Sequence, residues 1–307
     1  YFRLYEITVK AVKAVDDKLK VGGPATSNSK WVAAFVNYCK AHDAPVDFIT
    51  THQYAGDPIS EMCDQGDDDH VKNTEEIQEE YKVDLAQLFA GLKPEDGLLP
   101  MFRRTMPDNT ETDDLNRDLL RDSAKMVRKQ AEGLPLYYTE WSSCATFGAP
   151  GNDTRKTAAY DVRAALSSED VIDGSSIWCF SDIFEEIHPF PEEFHGGFGM
   201  MTQHGIPKPI FHALRLLGQA GDKRLELPGA LDGEVSVAAF RDAADTQLTV
   251  LATKQNLHHF AGQSTPATPV EIEVELDAKP QSVQLCRIDE EHGNPLKCWQ
   301  AMGEPED

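Results

Sequence analysis

Leu134-Pro-Leu-Tyr-Tyr-Thr-Glu-Trp-Ser-Ser143 is the stretch on which the fold turns. Its apolar run, Leu134 to Tyr138, predicts a buried strand that is entered from a helix and ends in Thr139-Glu140-Trp141. A carboxylate at that end has no obvious structural use, because burying an ionised Glu is costly unless it is paired or hydrogen-bonded. In α/β barrels the carboxyl ends of strands project reactive groups into the barrel mouth. The plain alternative is a Glu turned out to solvent.

Working outward, the neighbouring segments repeat one unit. Tyr5, Val9, Val12, Val15 and Leu19 recur at helical spacing over residues 1–19. A short strand with a glycine-rich exit follows at Val21-Gly-Gly-Pro-Ala25, and Ser27-Asn28-Ser29 offers N-caps for a helix carrying Trp31, Phe35, Tyr38 and Cys39. Val46 to Thr50 reads as the next strand. A helix from Asp113 to about Gln130 leads into the Glu140 strand, and another spans Thr154 to Ser167. Ser175 to Phe180 is then a strand, and Pro207 to Leu217 the last helix. Strand then helix, four times over, predicts a parallel sheet with crossover helices. Half of a (β/α)8 TIM barrel has this order. A doubly wound sheet shares it, but the first βα turn lacks a GxGxxG phosphate loop.

The period changes after residue 220. Glu234 to Phe240, Gln247 to Ala252 and Val270-Glu-Ile-Glu-Val-Glu-Leu276 read as short strands, the last alternating strictly. The expected organisation is a partial catalytic barrel over 1–220 and a small antiparallel, β-sandwich-like domain over 221–307. An insertion at 56–113 interrupts the barrel. It carries a helix capped by Asn73 and Glu76. Its acidic run Asp67-Asp68-Asp69 lacks EF-hand spacing and reads as a solvated turn.

Composition narrows the function. The 307 residues carry a net charge of −23, with 40% hydrophobic and 26% charged residues. Such a balance is ordinary for a globular domain but disfavours nucleic acid and anionic membranes as partners. A neutral substrate fits best. Six scattered cysteines form no ligand spacing and favour a reducing compartment such as the cytoplasm. The chain starts at Tyr1, inside a helical pattern, and is expected to be a fragment of a longer protein.

Three strand ends carry candidate chemistry. In Thr51-His52-Gln53-Tyr54, His52 and Tyr54 share a face, and a Tyr hydroxyl near Glu140 would keep it oriented. Trp178 is either core packing or a flat platform for a sugar ring, and Glu185 and Glu186 are either surface charges or acceptors for sugar hydroxyls. In His195-Gly-Gly-Phe-Gly199 the glycines permit close approach of backbone to a ligand, with a glycine-rich turn around a buried Phe as the alternative. No HExxH, P-loop or GxSxG motif is present, so no metal or cofactor is expected. Carboxylates and aromatics around a mouth suit glycoside hydrolysis.

These residues also resemble glycoside hydrolase family 39, most closely its bacterial β-xylosidases. The resemblance runs through Tyr1-Phe-Arg-Leu-Tyr-Glu6, Lys20 to Ala25, Pro45-Val-Asp-Phe48, His52-x-Tyr54 and Thr139-Glu140. It continues in Phe180 to Glu186, Phe194 to Gly199, Ile206-Pro-Lys-Pro209 and Ile288 to Pro295, leaving 56–113 uncovered. It implies a retaining (β/α)8 glycosidase, with this chain holding strands five to eight and Glu140 as nucleophile. The acid/base Glu of the family's Asn-Glu-Pro motif is then expected upstream of Tyr1. His52, Tyr54, Trp178, Glu185, Glu186, His195 and Phe198 are the implied sugar contacts. The family's aromatic residue five positions after the nucleophile is replaced by Ala145. The expected partner is a small oligosaccharide bearing β-linked xylose, and a homo-oligomer is left open. An α-L-iduronidase or arabinosidase specificity, or a non-catalytic carbohydrate-binding subunit, are the alternatives.

Overall fold

A computed structural model of the protein describes residues 1–55, 90, 117–145, 147–184, 192–255, 269–276 and 279–305. The first half alternates helix and strand: α1 (Phe2–Val15), β1 (Gly22–Thr26), α2 (Val32–Ala41) and β2 (Phe48–Tyr54). Then come α3 (Leu119–Gln130), β3 (Leu136–Ser142), α4 (Arg155–Ser168), β4 (Gly174–Ile177) and α5 (Pro209–Gly218). The four strands form one sheet in the order β1-β2-β3-β4, every pair parallel. Sequential strands lie side by side with helices between them, as parallel crossovers require.

The helices cover one face of the sheet. Tyr5 and Val9 of α1, Phe35 of α2 and Val127 of α3 pack with Ile49 and Leu136 into one core. The other face is an open groove of about 400 Å³ lined by Phe48, Thr50, Tyr137, Thr139, Ser175 and Lys20. This arrangement is consistent with part of a barrel, whose strand interiors would face that groove.

Several local expectations change. Ser27–Ser29 forms a 3-10 turn and caps nothing; α2 begins after Trp31, whose φ of 65° ends the turn in the left-handed region. β2 runs to Tyr54 rather than Thr50, because pairing with β3 carries on past Thr50. α4 starts as read, with the Thr154 hydroxyl accepting from the Lys156 N–H.

The C-terminal region supplies a three-stranded antiparallel sheet, β5 (Lys223–Leu225), β6 (Val235–Arg241) and β7 (Leu248–Lys254), and a final helix, α6 (Pro295–Ala301). Ala238 and Phe240 of β6 pack on Ala158 and Val162 of α4 and Ile210 of α5, so this sheet shares a core with the helices of the parallel sheet. Residues 270–276 are not a strand. Val270, Ile272, Val274 and Leu276 remain 39–45% exposed, and among the described residues no strand pairs with this segment to give its alternation a face to bury. The expected helix of the insertion and its Asp67–Asp69 run lie outside the described residues.

Candidate active site

Which side chains meet at the top of the sheet is set by the register of β2 and β3. Thr51 pairs with Tyr138, but the next pair is His52 with Glu140, so Thr139 is an extra residue on β3. Below this bulge, Leu136 and Tyr138 face the helices while Tyr137 and Thr139 line the groove. Above it the phase is inverted. Trp141 returns to the helix side, only 2% exposed, and Glu140 joins His52 and Tyr54. Strict alternation would have put Glu140 among the helices. Bulges re-aim side chains in this way and are common beside active sites.

Both oxygens of Glu140 are engaged. The Tyr54 hydroxyl donates to Oε1, and His52 Nδ1 lies 3.3 Å from Oε2. The Glu140 and His52 side chains are 24% and 22% exposed, so the carboxylate is held yet reachable from the groove side. Gln53, between them in sequence, points the other way, where its Oε1 accepts from Ser29, and Ser29 in turn meets the Tyr138 hydroxyl. That buried network, with Tyr138 also donating to Ser123, anchors the strand ends from behind.

The exit of β4 adjoins the carboxylate. The Trp178 N–H donates to the Trp141 carbonyl at 3.0 Å, extending the strand pairing by a residue, and the Trp178–Cys179 peptide is cis. Burial pushes the Cys179 thiol up to about 11, and the charges of Asp182 and Glu140 add to the effect. The Trp178 ring meets Phe184 edge-on at 5.9 Å, and Phe184 and Phe198 both pack on Phe147. Trp178 and Phe198 are thus joined through two aromatics that the sequence reading did not select. Phe147 lies two residues beyond Ala145, and its ring is nearly fully buried. Glu185 and Glu186 lie outside the described residues.

His195 is placed differently from a rim contact. It is 6% exposed, tilted against Phe147, and its Nδ1 donates to the Glu192 carbonyl at 2.9 Å. The glycines after it receive protein rather than open space. Gly196 has φ +79° and a Cβ there would collide with the Gly148 backbone; at Gly199 it would collide with the Ser181–Asp182 backbone.

A buried charge cluster fastens these loops. The Lys208 ammonium, 0% exposed, lies 2.6 Å from both Asp153 and Asp182 and donates to the Gly197 carbonyl at 3.1 Å. The free oxygens of the two carboxylates accept from the Gly196 and Gly199 N–H groups. Burial alone would lower the Lys208 pKa, but Asp153 and Asp182 outweigh it and raise it. Burial raises that of Asp182 against the pull of Lys208. Nothing in the spacing of Asp153, Asp182 and Lys208 announces this cluster, since each comes from a different loop. Among the described residues no group of three or more His, Cys, Asp or Glu could hold a metal ion.

Known proteins share the sequence and fold of this chain. The model of the glycosyl hydrolases family 39 matches residues 1–128 and 105–306. A β-xylosidase of Geobacillus stearothermophilus is 31% identical over 99% of this chain and 52% of its own length. One from Caldicellulosiruptor saccharolyticus is 29% identical, covering 99% and 53%. Among solved structures, a monomeric β-xylosidase from Caulobacter crescentus CB15 aligns with 100% of this chain and 56% of its own, at 27% identity and a TM-score of 0.67. The chain therefore spans about half the length of the curated relatives it matches.

Proposed function

The chain belongs to the glycosyl hydrolases family 39, and from that premise we propose that it carries the nucleophile side of a retaining β-xylosidase site at the mouth of a (β/α)8 barrel. One observation supports this above the others: Glu140 stands at the carboxyl end of β3 with Tyr54 on one oxygen and His52 on the other. Glu140 attacks the anomeric carbon, and a glycosyl ester forms as the bond to the leaving oxygen breaks. A second carboxyl group, supplied from outside these 307 residues, protonates that oxygen. The same group then deprotonates the water that hydrolyses the ester. In retaining enzymes the two carboxyl groups stand about 5–5.5 Å apart.

The remaining parts take roles around this centre. Trp178 is the platform for the sugar ring, His195 and Phe198 shape the wall that carries it, and Glu185 and Glu186 accept from sugar hydroxyls. The parallel sheet is half of the barrel, and β5 to β7 belong to an accessory β domain. A net charge of −23 favours a neutral pentose over a uronic acid.

A 2-fluoro-xyloside inactivator traps the ester and tests the assignment. In the intact protein, mass spectrometry of the digest should find the label on the peptide containing Glu140, and the Glu140→Gln variant should take none. Label on another carboxylate would overturn the reading.

A further inference from the structure

A void of about 10 Å³ lies where α4 meets the exits of β3 and β4, walled by Asp161, Thr157, Ser142 and Asn152 on its polar side and by Trp178 and Phe198 among its apolar neighbours. That is close to the smallest space that accepts a single water, and a buried water needs two to four polar partners. The polar wall meets that demand in a particular way. The Ser142 hydroxyl donates to the Cys144 carbonyl and the Thr157 hydroxyl to the Gly151 carbonyl, so both turn lone pairs, not hydrogens, toward any further partner. Each already accepts one bond, from the Cys144 N–H and the Ser143 hydroxyl, and has one acceptor position left.

Asp161 supplies what this wall lacks. It is fully buried, and neither of its oxygens makes a well-formed hydrogen bond among the described residues. A buried carboxyl in that condition needs an explanation, and an ordered water is the usual one. We propose that the void is a built site for one internal water, which Asp161 shares with Thr157, Asn152 and Ser142, and which fixes the floor against which Trp178 rests. The water accepts from the Asp161 acid hydrogen and donates to the Ser142 and Thr157 oxygens.

This bonding scheme needs Asp161 uncharged, and its surroundings agree. Burial raises its pKa well above the carboxylate range, with only the Ser143 N–H pulling the other way. Tyr160 and Arg163 share its helix, but Arg163 is engaged with Asp118. Lys208, Asp153 and Asp182 are bound to one another. None supplies a counter-charge.

Two readouts on the intact protein test the proposal. The water site stands without the sugar reading; only its effect on substrate binding rests on Trp178 as a platform. Asp161→Asn keeps the size and hydrogen-bonding capacity without an acid. An unfolded Asp ionises near pH 3.9, so wild type loses stability relative to the variant as pH rises above that value. The variant should melt with wild type near pH 4 and several degrees higher at pH 7. A difference independent of pH, or a crystal structure with no solvent density in the void, overturns the proposal. On an aryl β-xyloside, Asp161→Asn should leave KM unchanged, whereas Asp161→Leu, which displaces the water, should raise KM roughly five- to tenfold with kcat changing less. If Trp178→Ala raises KM and Asp161→Leu does not, the positioning role fails. If Trp178→Ala leaves KM unchanged, the platform reading fails instead, and melting and density still decide the water.

Discussion

The Tyr54 hydroxyl donates to Glu140, and Tyr54→Phe removes that hydrogen bond while keeping the ring. Hydrogen bonds to charged groups contribute about 1.5–3 kcal/mol, which sets an expected loss of roughly 10- to 100-fold in kcat/KM for an aryl β-xyloside. A variant within twofold of wild type would mean that this contact does not orient the nucleophile. Lys208 allows a test that needs no substrate. Lys208→Met leaves Asp153 and Asp182 buried without their cation, and breaking such a group costs roughly 3–5 kcal/mol. Urea unfolding reads that loss, and a change below about 1 kcal/mol would show that the cluster does not hold the loops. At this scale the sequence was informative where chemistry is scarce. A Glu, a His and a Tyr at strand ends were legible as a group because alternation alone puts His52 and Tyr54 on one face. His195 was less legible, since a glycine-rich loop admits either a ligand or the protein's own backbone, and here Gly148 and Asp182 occupy the approach.

Among the elements, β3 carries the instructive difference. Its apolar run was readable as a buried strand, yet period two from Leu136 and Tyr138 predicts Glu140 on the helix side. The bulge at Thr139 reverses this, and it exists only as a relation between β2 and β3. Deleting Thr139 takes out the extra residue, so Glu140 follows Tyr138 directly and plain alternation itself puts it on the groove side, with Trp141 among the helices. The expected outcome is a variant that still takes the inactivator label on the same Glu. Loss of the label in a deletion variant that melts like wild type, read by circular dichroism, would refute Thr139 as the residue that sets the phase. The C-terminal elements teach the reverse lesson. Val270 to Leu276 alternates strictly and forms no strand, because pattern prescribes which face to bury but does not supply a partner, and among the described residues none pairs with it.

For the molecule as a whole, the antiparallel sheet and the helices α4 and α5 share a core through Phe240, Ala238, Val162 and Ile210. Arg163 adds to this joint: its guanidinium, 3% exposed, donates to the Arg117 and Leu231 carbonyls. Phe240→Ala should cost roughly 3–5 kcal/mol. It should lower the melting of both sheets together, as one transition followed by calorimetry. Two separated transitions would show that the sheets are independent units. The sequence by itself determined the order of the helices and strands of the first sheet, its parallel sense and the shared face of His52 and Tyr54, because these depend on local period, and its motifs carried the resemblance to the family. Only the tertiary structure decided the phase of Glu140, the aromatic cluster behind Trp178, the Lys208 ion cluster and the polar void at Asp161. Each of these joins residues from loops or strands far apart in the chain, and their meeting is a property of register and packing that no single segment encodes.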